Sequence, residues 1–156
     1  MPRAASRLGS AGSGNASRRA AVVVSGRTLP LPAGTVRRVV RAVLAGERRH
    51  AAVSVTFLGR ESIRRMNFAY KGHDRATDVL CFALPEPDGT ISGDVYLCRA
   101  VAAREARERG IPLREELVRL LVHGTLHLLG HDHPEGSGRT RSAMWRRQER
   151  YVKALA

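Results

Sequence analysis

Hydrophobic positions in the first half of the chain alternate between the spacing of strands and the spacing of helices. A β-branched run at residues 20–24 predicts a first strand. At residues 36–44 apolar side chains recur every three or four positions, which is the pattern of an amphipathic helix, and Gly46 marks its end. Residues 53–57 then alternate between apolar and polar side chains, which predicts a half-buried second strand.

The second half of the chain adds a hairpin and further helices. Its patterns predict a helix marked by Ile63, Met66 and Tyr70, strands at 79–84 and 91–97, and helices at 99–109, 112–129 and about 140–155. The prolines and glycine between the two strands suit a hairpin turn. The last helix is predicted to turn four side chains inward, those of Met144, Gln148, Tyr151 and Val152.

This order of elements predicts the fold class and the domain organisation. We expect an α+β fold in which a small mixed four-stranded sheet is covered mainly on one face by about five helices. A length of 156 residues suits one domain, which we place at residues 20–156. Residues 1–19 are rich in Arg, Ser and Ala without acids, and we interpret them as a flexible basic tail, although organelle transit peptides share this composition.

The strongly basic composition narrows the class of partner. The chain has 27 Lys and Arg against 14 Asp and Glu, for a formal net charge of +13. This charge favours polyanions such as nucleic acid or an anionic membrane face. The excess lies at the two ends, with four arginines in residues 1–19 and six basic residues in residues 139–153. Nearly all the basic residues are arginine, so a codon-biased genome is an alternative explanation.

Cysteine usage and hydropathy indicate the compartment. Cys81 and Cys98 are far apart and belong to no CxxC pair, so neither a disulfide framework nor a cysteine-rich zinc module is predicted. No apolar run approaches the ~18 residues of a membrane span. We therefore predict a cytoplasmic protein with no membrane association.

The histidines carry the most specific chemistry. Four of the six fall within the segment HGTLHLLGHDH. His123 and His127 are four residues apart on a predicted helix, so their rings lie on one face. Gly130 can end the helix with a positive φ, which lets His131 or His133 return to the same ion. Three imidazoles with one open position describe a catalytic zinc site.

Spacing favours His133 over His131 as the third ligand and leaves Asp132 to accept a hydrogen bond from a ligand ring. The alternative for these histidines is a set of hydrogen-bonded or solvent-facing side chains at a helix end. The same spacing occurs in metzincin peptidases, but their general-base glutamate would stand at Gly124 in this chain. Without that carboxylate we disfavour a metallopeptidase.

The histidine segment resembles the signature of the YbeY endoribonucleases, which are rRNA maturation factors. Residues 66–70, 77–82 and 92–95 are similar to other segments of that family, and the resemblance covers residues 20–154. It implies an α+β fold and one zinc ion per chain, held by His123, His127 and His133. It also implies an endoribonuclease specific for single-stranded RNA, acting in 3′-end maturation of small-subunit (16S) rRNA and in ribosome quality control.

The resemblance also implies a catalytic residue at position 71, where the family usually has an arginine and this chain has Lys71. Lysine keeps the charge but loses the planar guanidinium that binds phosphate through two hydrogen bonds. The alternative for Lys71 is an ordinary solvated cation in a loop. Ala76 and Cys81 are further departures, since the family has Pro and Ser at these positions.

The leading hypothesis is metal-assisted hydrolysis of RNA phosphodiesters, with RNA and the ribosomal small subunit as partners and ribosome-assembly proteins as possible additional ones. The alternative from another class is a non-catalytic ribosome-assembly module whose ion only stabilises a helix end. The identity of the metal stays open, because nitrogen ligands also suit nickel, copper or iron.

Overall fold

The computed structural model describes residues 21–156, so the predicted tail at residues 1–19 lies outside the described part. The strands are β1 (Val22–Ser25), β2 (Ala51–Leu58), β3 (Val79–Pro85) and β4 (Ile91–Cys98). The α-helices are α1 (Ala33–Gly46), α2 (Arg60–Lys71), α3 (Arg99–Arg109), α4 (Leu113–Leu128) and α5 (Ala143–Leu155). A 3₁₀ segment, Gly136–Arg141, precedes α5.

The four strands form one mixed sheet in the order β1-β2-β4-β3. β2 pairs in parallel with both β1 and β4, whereas β3 and β4 form an antiparallel hairpin. The hairpin closes where the Glu86 N–H donates to the Thr90 carbonyl and Gly89 adopts a φ of 81°. The predicted α+β fold with a small mixed four-stranded sheet is confirmed.

The main core lies on one face of the sheet. Ala51, Val53, Val55 and Phe57 alternate along β2 and are all buried on this face, where they belong to the same cluster as the apolar stripe of α1 and most of α4. Each fully buried side chain of this size contributes about 1.5–3 kcal/mol. A smaller cluster around Ile63 forms a separate core. Coverage is therefore mainly one-sided, as predicted.

Two glycines allow α4 to lie close against the sheet. A Cβ at Gly93 of β4 would stand 2.7 Å from the side chain of Leu128, and a Cβ at Gly124 of α4 would stand 2.9 Å from Val95 Cγ1. Neither position has room for a side chain without movement of its neighbours. This close approach sets the C-terminal half of α4, which carries two of the histidines, directly over the hairpin.

The last helix begins later than the sequence pattern indicates. α5 begins at Ala143 because Ser142 adopts an extended conformation and its Oγ accepts a hydrogen bond from the Trp145 N–H at 3.1 Å. The residues before it form the 3₁₀ segment. Met144, Gln148 and Val152 are buried as predicted, whereas Tyr151 is only partly buried.

The inward face of α2 also differs in one position from the prediction. Ile63 is buried, but Tyr70 is 71% exposed and the second buried residue of the helix is Asn67. The Asn67 amide donates to the Arg75 carbonyl at 2.9 Å and so ties α2 to the loop that follows it. Gly72, with a φ of 73°, ends the helix directly after Lys71. None of the helices in residues 21–156 combines the length and hydropathy needed to span a bilayer.

Candidate metal centre

Three histidine rings meet at the C-terminal end of α4. His123 and His127 lie one turn apart on the helix, and Gly130, with a φ of 95°, turns the chain so that His133 returns to them. The ring centroids are 4.5 Å apart for His123 and His127, 5.1 Å for His123 and His133, and 5.0 Å for His127 and His133. One nitrogen of each ring lies within 4.8 Å of the other two, so the group could hold one metal ion.

The hydrogen bonds of two rings leave a nitrogen lone pair free on each. A carbonyl only accepts, so the His133 Nδ1–H must donate to the Pro134 oxygen 2.9 Å away. The Gln148 amide nitrogen donates to Glu149 at 3.1 Å, so its Oε1 accepts the His123 Nδ1–H at 2.7 Å. In the neutral form, both rings therefore present Nε2 as the nitrogen that can bind a metal.

Electrostatics at the site favour the neutral form of two of the imidazoles. Burial lowers the pKa of His123 to about 4, and the charges of His127, Arg139 and His133 act in the same direction. Burial and the charge of His133 also lower the pKa of His127. Neutral imidazole nitrogens bind divalent transition metals, so the lowered pKa values of His123 and His127 favour the form of these rings that a metal site requires.

His131 lies outside this group. Its Nε2 contacts Glu47 Oε2 at 2.9 Å, and the same carboxylate accepts hydrogen bonds from Arg147 at 3.0 Å and from the Tyr151 hydroxyl at 2.8 Å. These contacts join the end of α1 to α5 across the main core. His131 therefore has a place in the packing of two helices, and the histidine group in the described part of the chain has three members.

Asp132 lies beside the group but does not contact a ring. Its Oδ1 accepts the backbone N–H of His133 at 2.8 Å, and its charge acts to raise the pKa of His127. The ring partners are instead Gln148 and the Pro134 carbonyl. Sequence reasoning missed Gln148 as a ring partner, although a polar residue within the apolar stripe of the last helix was a signal for it.

The three histidines line a cavity of about 670 Å³. Lys71, at the end of α2, lines the same cavity, as do Arg75 of the following loop and Arg139 of the 3₁₀ segment. Three cations from separate elements thus surround the space next to the imidazoles. An anionic ligand fits this arrangement because it would neutralise charges that otherwise repel each other.

The hydrogen bond between His123 and Gln148 is expected to contribute to metal affinity. Replacing Gln148 by leucine leaves the buried His123 Nδ1–H without an acceptor, so we expect zinc affinity to fall about 10- to 100-fold. Arg150→Ala, an exposed change on the same helix, is the control. Competition with a chromophoric chelator measures both affinities, and an unchanged affinity in Gln148→Leu would show that the hydrogen bond does not orient the ring.

An acidic cluster lies beside the cavity, behind the start of β3. Carboxylate oxygens of Asp78, Glu105 and Glu116 lie within 4.8 Å of one another. Burial and the neighbouring Asp78 raise the pKa of Glu105 to about 7, with a further contribution from Glu116 and an opposing one from Arg109. Glu116 itself is paired with Arg109 and Arg119, both at 3.3 Å. The cluster is therefore balanced by two guanidiniums and by one shared proton.

The raised pKa of Glu105 predicts a pH-dependent stability. The stabilising contribution of the protonated carboxyl is complete below about pH 4.5 and is lost as pH rises through about 7. Glu105→Gln should therefore raise the free energy of unfolding by roughly 1 kcal/mol at pH 8, a value discounted for partial exposure, and change it little at pH 5. Urea unfolding at both pH values measures this, with the exposed Glu108→Gln as control. Equal changes at pH 5 and pH 8 would contradict the shared proton.

Comparison with known proteins reveals similarity along most of the chain. The family model described as Endoribonuclease YbeY matches residues 30–156. Endoribonuclease YbeY of Geobacter sulfurreducens is 38% identical over 142 residues, which cover 86% of this chain and 94% of that protein. The Paraburkholderia phymatum protein of the same name is 42% identical over 106 residues, 67% of each chain.

Other relatives match over a shorter stretch. The match to Endoribonuclease YbeY of Burkholderia ambifaria is 48% identical over 84 residues and spans about half of that protein, 48% of its length. Among solved structures, the solution structure of TM1509 from Thermotoga maritima superposes with a TM-score of 0.63 at 28% identity. That match covers 86% of this chain and 88% of the other.

Proposed function

Because the chain belongs to the endoribonuclease YbeY family, we propose that it is a metal-dependent endoribonuclease that cleaves single-stranded RNA in rRNA processing. The observation that carries this proposal is the convergence of three imidazoles in a cavity lined by cations. We assign the activity to residues 20–156. The biological role that we propose for this activity is maturation of the 3′ end of small-subunit (16S) rRNA, together with ribosome quality control.

His123, His127 and His133 are the proposed ligands of one zinc ion per chain. The donor set fits this ion, because three neutral imidazoles are one of the ligand sets of catalytic zinc. When bound, a divalent cation supplies Lewis-acid polarisation of a phosphoryl oxygen. Gln148 and the Pro134 carbonyl hold two of the rings, and Asp132 holds the backbone of His133 in its turn.

Lys71 is the proposed catalytic cation at the end of α2. Lys71 lines the cavity, and its ammonium group would neutralise a nonbridging oxygen of the phosphodiester as negative charge develops. Lysine offers a point charge without the paired donors of arginine. Lys71 would therefore stabilise negative charge on the phosphate without fixing the orientation of the phosphate. The loop after it is held by the ion pair of Arg64 and Asp74, at 2.8 Å.

RNA is the proposed substrate because the cavity and the basic ends of the chain both favour phosphates. Arg146 and Arg150 are exposed on α5 and add positive charge outside the cavity. If these arginines contact phosphates, log affinity for single-stranded RNA falls linearly with log salt, with a slope of about −0.7 for each contact. Contacts of this kind confer no base specificity, so the choice of site would come from the small subunit or from assembly proteins in the cytoplasm.

Cleavage of matched RNA substrates tests the proposed function. A single-stranded fragment carrying the 3′ end of 16S rRNA should be cut, the same sequence in a duplex should not, and a chelator should stop the reaction until zinc is restored. Cleavage that persists after verified metal removal would contradict the proposal. RNA binding without cleavage by the zinc-loaded protein would instead favour a ribosome-assembly factor whose ion is structural.

The same assay measures the contribution of Lys71. Lys71→Met should lower kcat by about 10- to 100-fold, because one transition-state cation is lost. Lys71→Arg should retain or raise the rate, since it restores two parallel donors to phosphate. Arg65→Met, an exposed change on the same helix, is the control. A Lys71→Met enzyme with the wild-type rate would make Lys71 an ordinary surface cation.

A further inference from the structure

Arg139 lies in the wall of the cavity that contains the histidines. It belongs to the 3₁₀ segment, and its side chain lines the same space as the three imidazoles. Its backbone is fixed, because its carbonyl accepts hydrogen bonds from the Ser142 hydroxyl at 2.7 Å and from the Ser142 N–H at 3.1 Å. Ser142 in turn caps α5, the helix whose Gln148 holds His123. The start of α5 therefore holds the backbone of Arg139, and the same helix contacts one ring of the metal centre.

The guanidinium of Arg139 lacks a partner within the protein. Its Nε is the one buried side-chain nitrogen or oxygen in residues 21–156 that has no hydrogen-bond partner. Other arginines near the core are paired: Arg119 contacts Glu149 at 2.8 Å, and Arg147 contacts Glu47 at 3.0 Å. A buried donor without an acceptor costs free energy, so a ligand that supplies an acceptor would bind here favourably.

Arg139 lies beside the metal centre. It lines the cavity together with His123, His127 and His133, and it also borders a second small pocket with His123 and His133. Together with Lys71 and a divalent cation, it would place three positive groups around one cavity. Such an arrangement is stable only when an anion occupies the space between them. A phosphodiester has the required charge and presents two nonbridging oxygens to a planar guanidinium.

We propose that Arg139 is a catalytic residue that donates hydrogen bonds from its guanidinium to the nonbridging oxygens of the scissile phosphate. This inference rests on the proposed function. Arg139 thus supplies, from the 3₁₀ segment, the paired donors that a lysine at position 71 does not offer. Two elements thus contribute different groups to phosphate binding. Lys71 of α2 supplies a point charge, and Arg139 of the 3₁₀ segment supplies the planar group that orients the phosphate.

Substitution with chemical rescue tests this role in the zinc-loaded protein. Arg139→Ala should lower kcat for single-stranded RNA about 100- to 1,000-fold with unchanged zinc stoichiometry, which is the usual cost of removing one charged transition-state donor. Added guanidinium ion at millimolar concentration should raise the rate of Arg139→Ala at least about tenfold. The rate of Arg139→Lys should stay below that of Arg139→Ala with added guanidinium ion, because lysine lacks the planar group. Arg104→Ala, an exposed change on α3 outside both the cavity lining and the basic ends of the chain, should behave as the unaltered chain.

A binding measurement separates this inference from the proposed function. Affinity of the metal-free protein for a single-stranded RNA oligonucleotide, measured by fluorescence anisotropy, should fall at least about fivefold in Arg139→Ala and not in Arg104→Ala. If the unaltered zinc-loaded protein cuts no RNA, the proposed function fails, and the same fivefold loss would still support a phosphate contact at Arg139. Full activity in Arg139→Ala, or a loss that follows zinc release and resists guanidinium, would overturn the inference.

Discussion

Replacing His127 by alanine is expected to remove the bound ion and to lower RNA cleavage by at least about 1,000-fold. The ring centroid of His127 lies 4.5 Å from that of His123 and 5.0 Å from that of His133. Two imidazoles bind a divalent cation far more weakly than three. Loss of several kcal/mol of transition-state stabilisation by the metal corresponds to three or more factors of ten in rate.

His131→Ala is the matched control for this experiment. His131 comes from the same segment, but it contacts Glu47, which keeps Arg147 and Tyr151 as partners after the substitution. Zinc content and cleavage rate should therefore stay close to those of the unaltered chain. Metal analysis and single-turnover cleavage measure both variants. Equal loss in the two variants, or retained zinc in His127→Ala, would contradict the assignment of ligands.

Substitution of Gly124 is expected to have the largest effect on stability. Alanine for glycine normally stabilises a helix interior by about 1 kcal/mol, but a Cβ here would stand 2.9 Å from Val95 Cγ1 and 3.2 Å from Cys81 Sγ. Overpacking of this kind costs about 1–3 kcal/mol, and the gain in helix propensity offsets about 1 kcal/mol of this cost. Gly124→Ala should therefore lower the free energy of unfolding by up to about 2 kcal/mol. Gly124→Glu should cost more than 3 kcal/mol, because it also buries a carboxylate.

This prediction bears on the metallopeptidase hypothesis as well as on stability. Position 124 faces the sheet, so a glutamate there would meet β4 rather than the metal centre. Gly124→Glu should therefore gain no peptidase activity. Gly34→Ala, a helical glycine with open space around it, is the control and should not destabilise the chain. Urea unfolding measures all three variants, and a stabilised Gly124→Ala would show that α4 does not need this close approach.

Local patterns were sufficient to predict most of the fold. Alternation along β2 and the three-to-four spacing of α1 report directly which side chains are buried, because each pattern depends only on the geometry of its own element. The parallel pairing of β2 with β4 joins strands that are separated along the chain by α2 and β3. It therefore depends on tertiary packing, which the pattern of one element does not reveal. The boundary of α5 shifted because Ser142 caps it, a choice that the apolar stripe does not reveal.

The candidate site also combines residues that local spacing predicts with residues that only tertiary packing brings together. The three histidines belong to one helix and one glycine turn, so their meeting follows from local spacing. Gln148 contacts His123 from 25 residues away, and Arg139 reaches the cavity from a 3₁₀ segment without periodicity. Both contacts depend on how α5 packs on α4. Sequence reasoning could predict that the three histidines converge, whereas the groups that contact their rings required the packed structure.

The most direct measurement is a crystal structure of the zinc-loaded protein with diffraction recorded on both sides of the zinc absorption edge. One anomalous peak per chain should lie ~2.0–2.1 Å from an imidazole nitrogen of each of His123, His127 and His133. His131 should remain on Glu47. A peak at the carboxylates of Asp78 and Glu105, or zinc bound through His131, would contradict the three-histidine centre and the metal-dependent cleavage proposed from it.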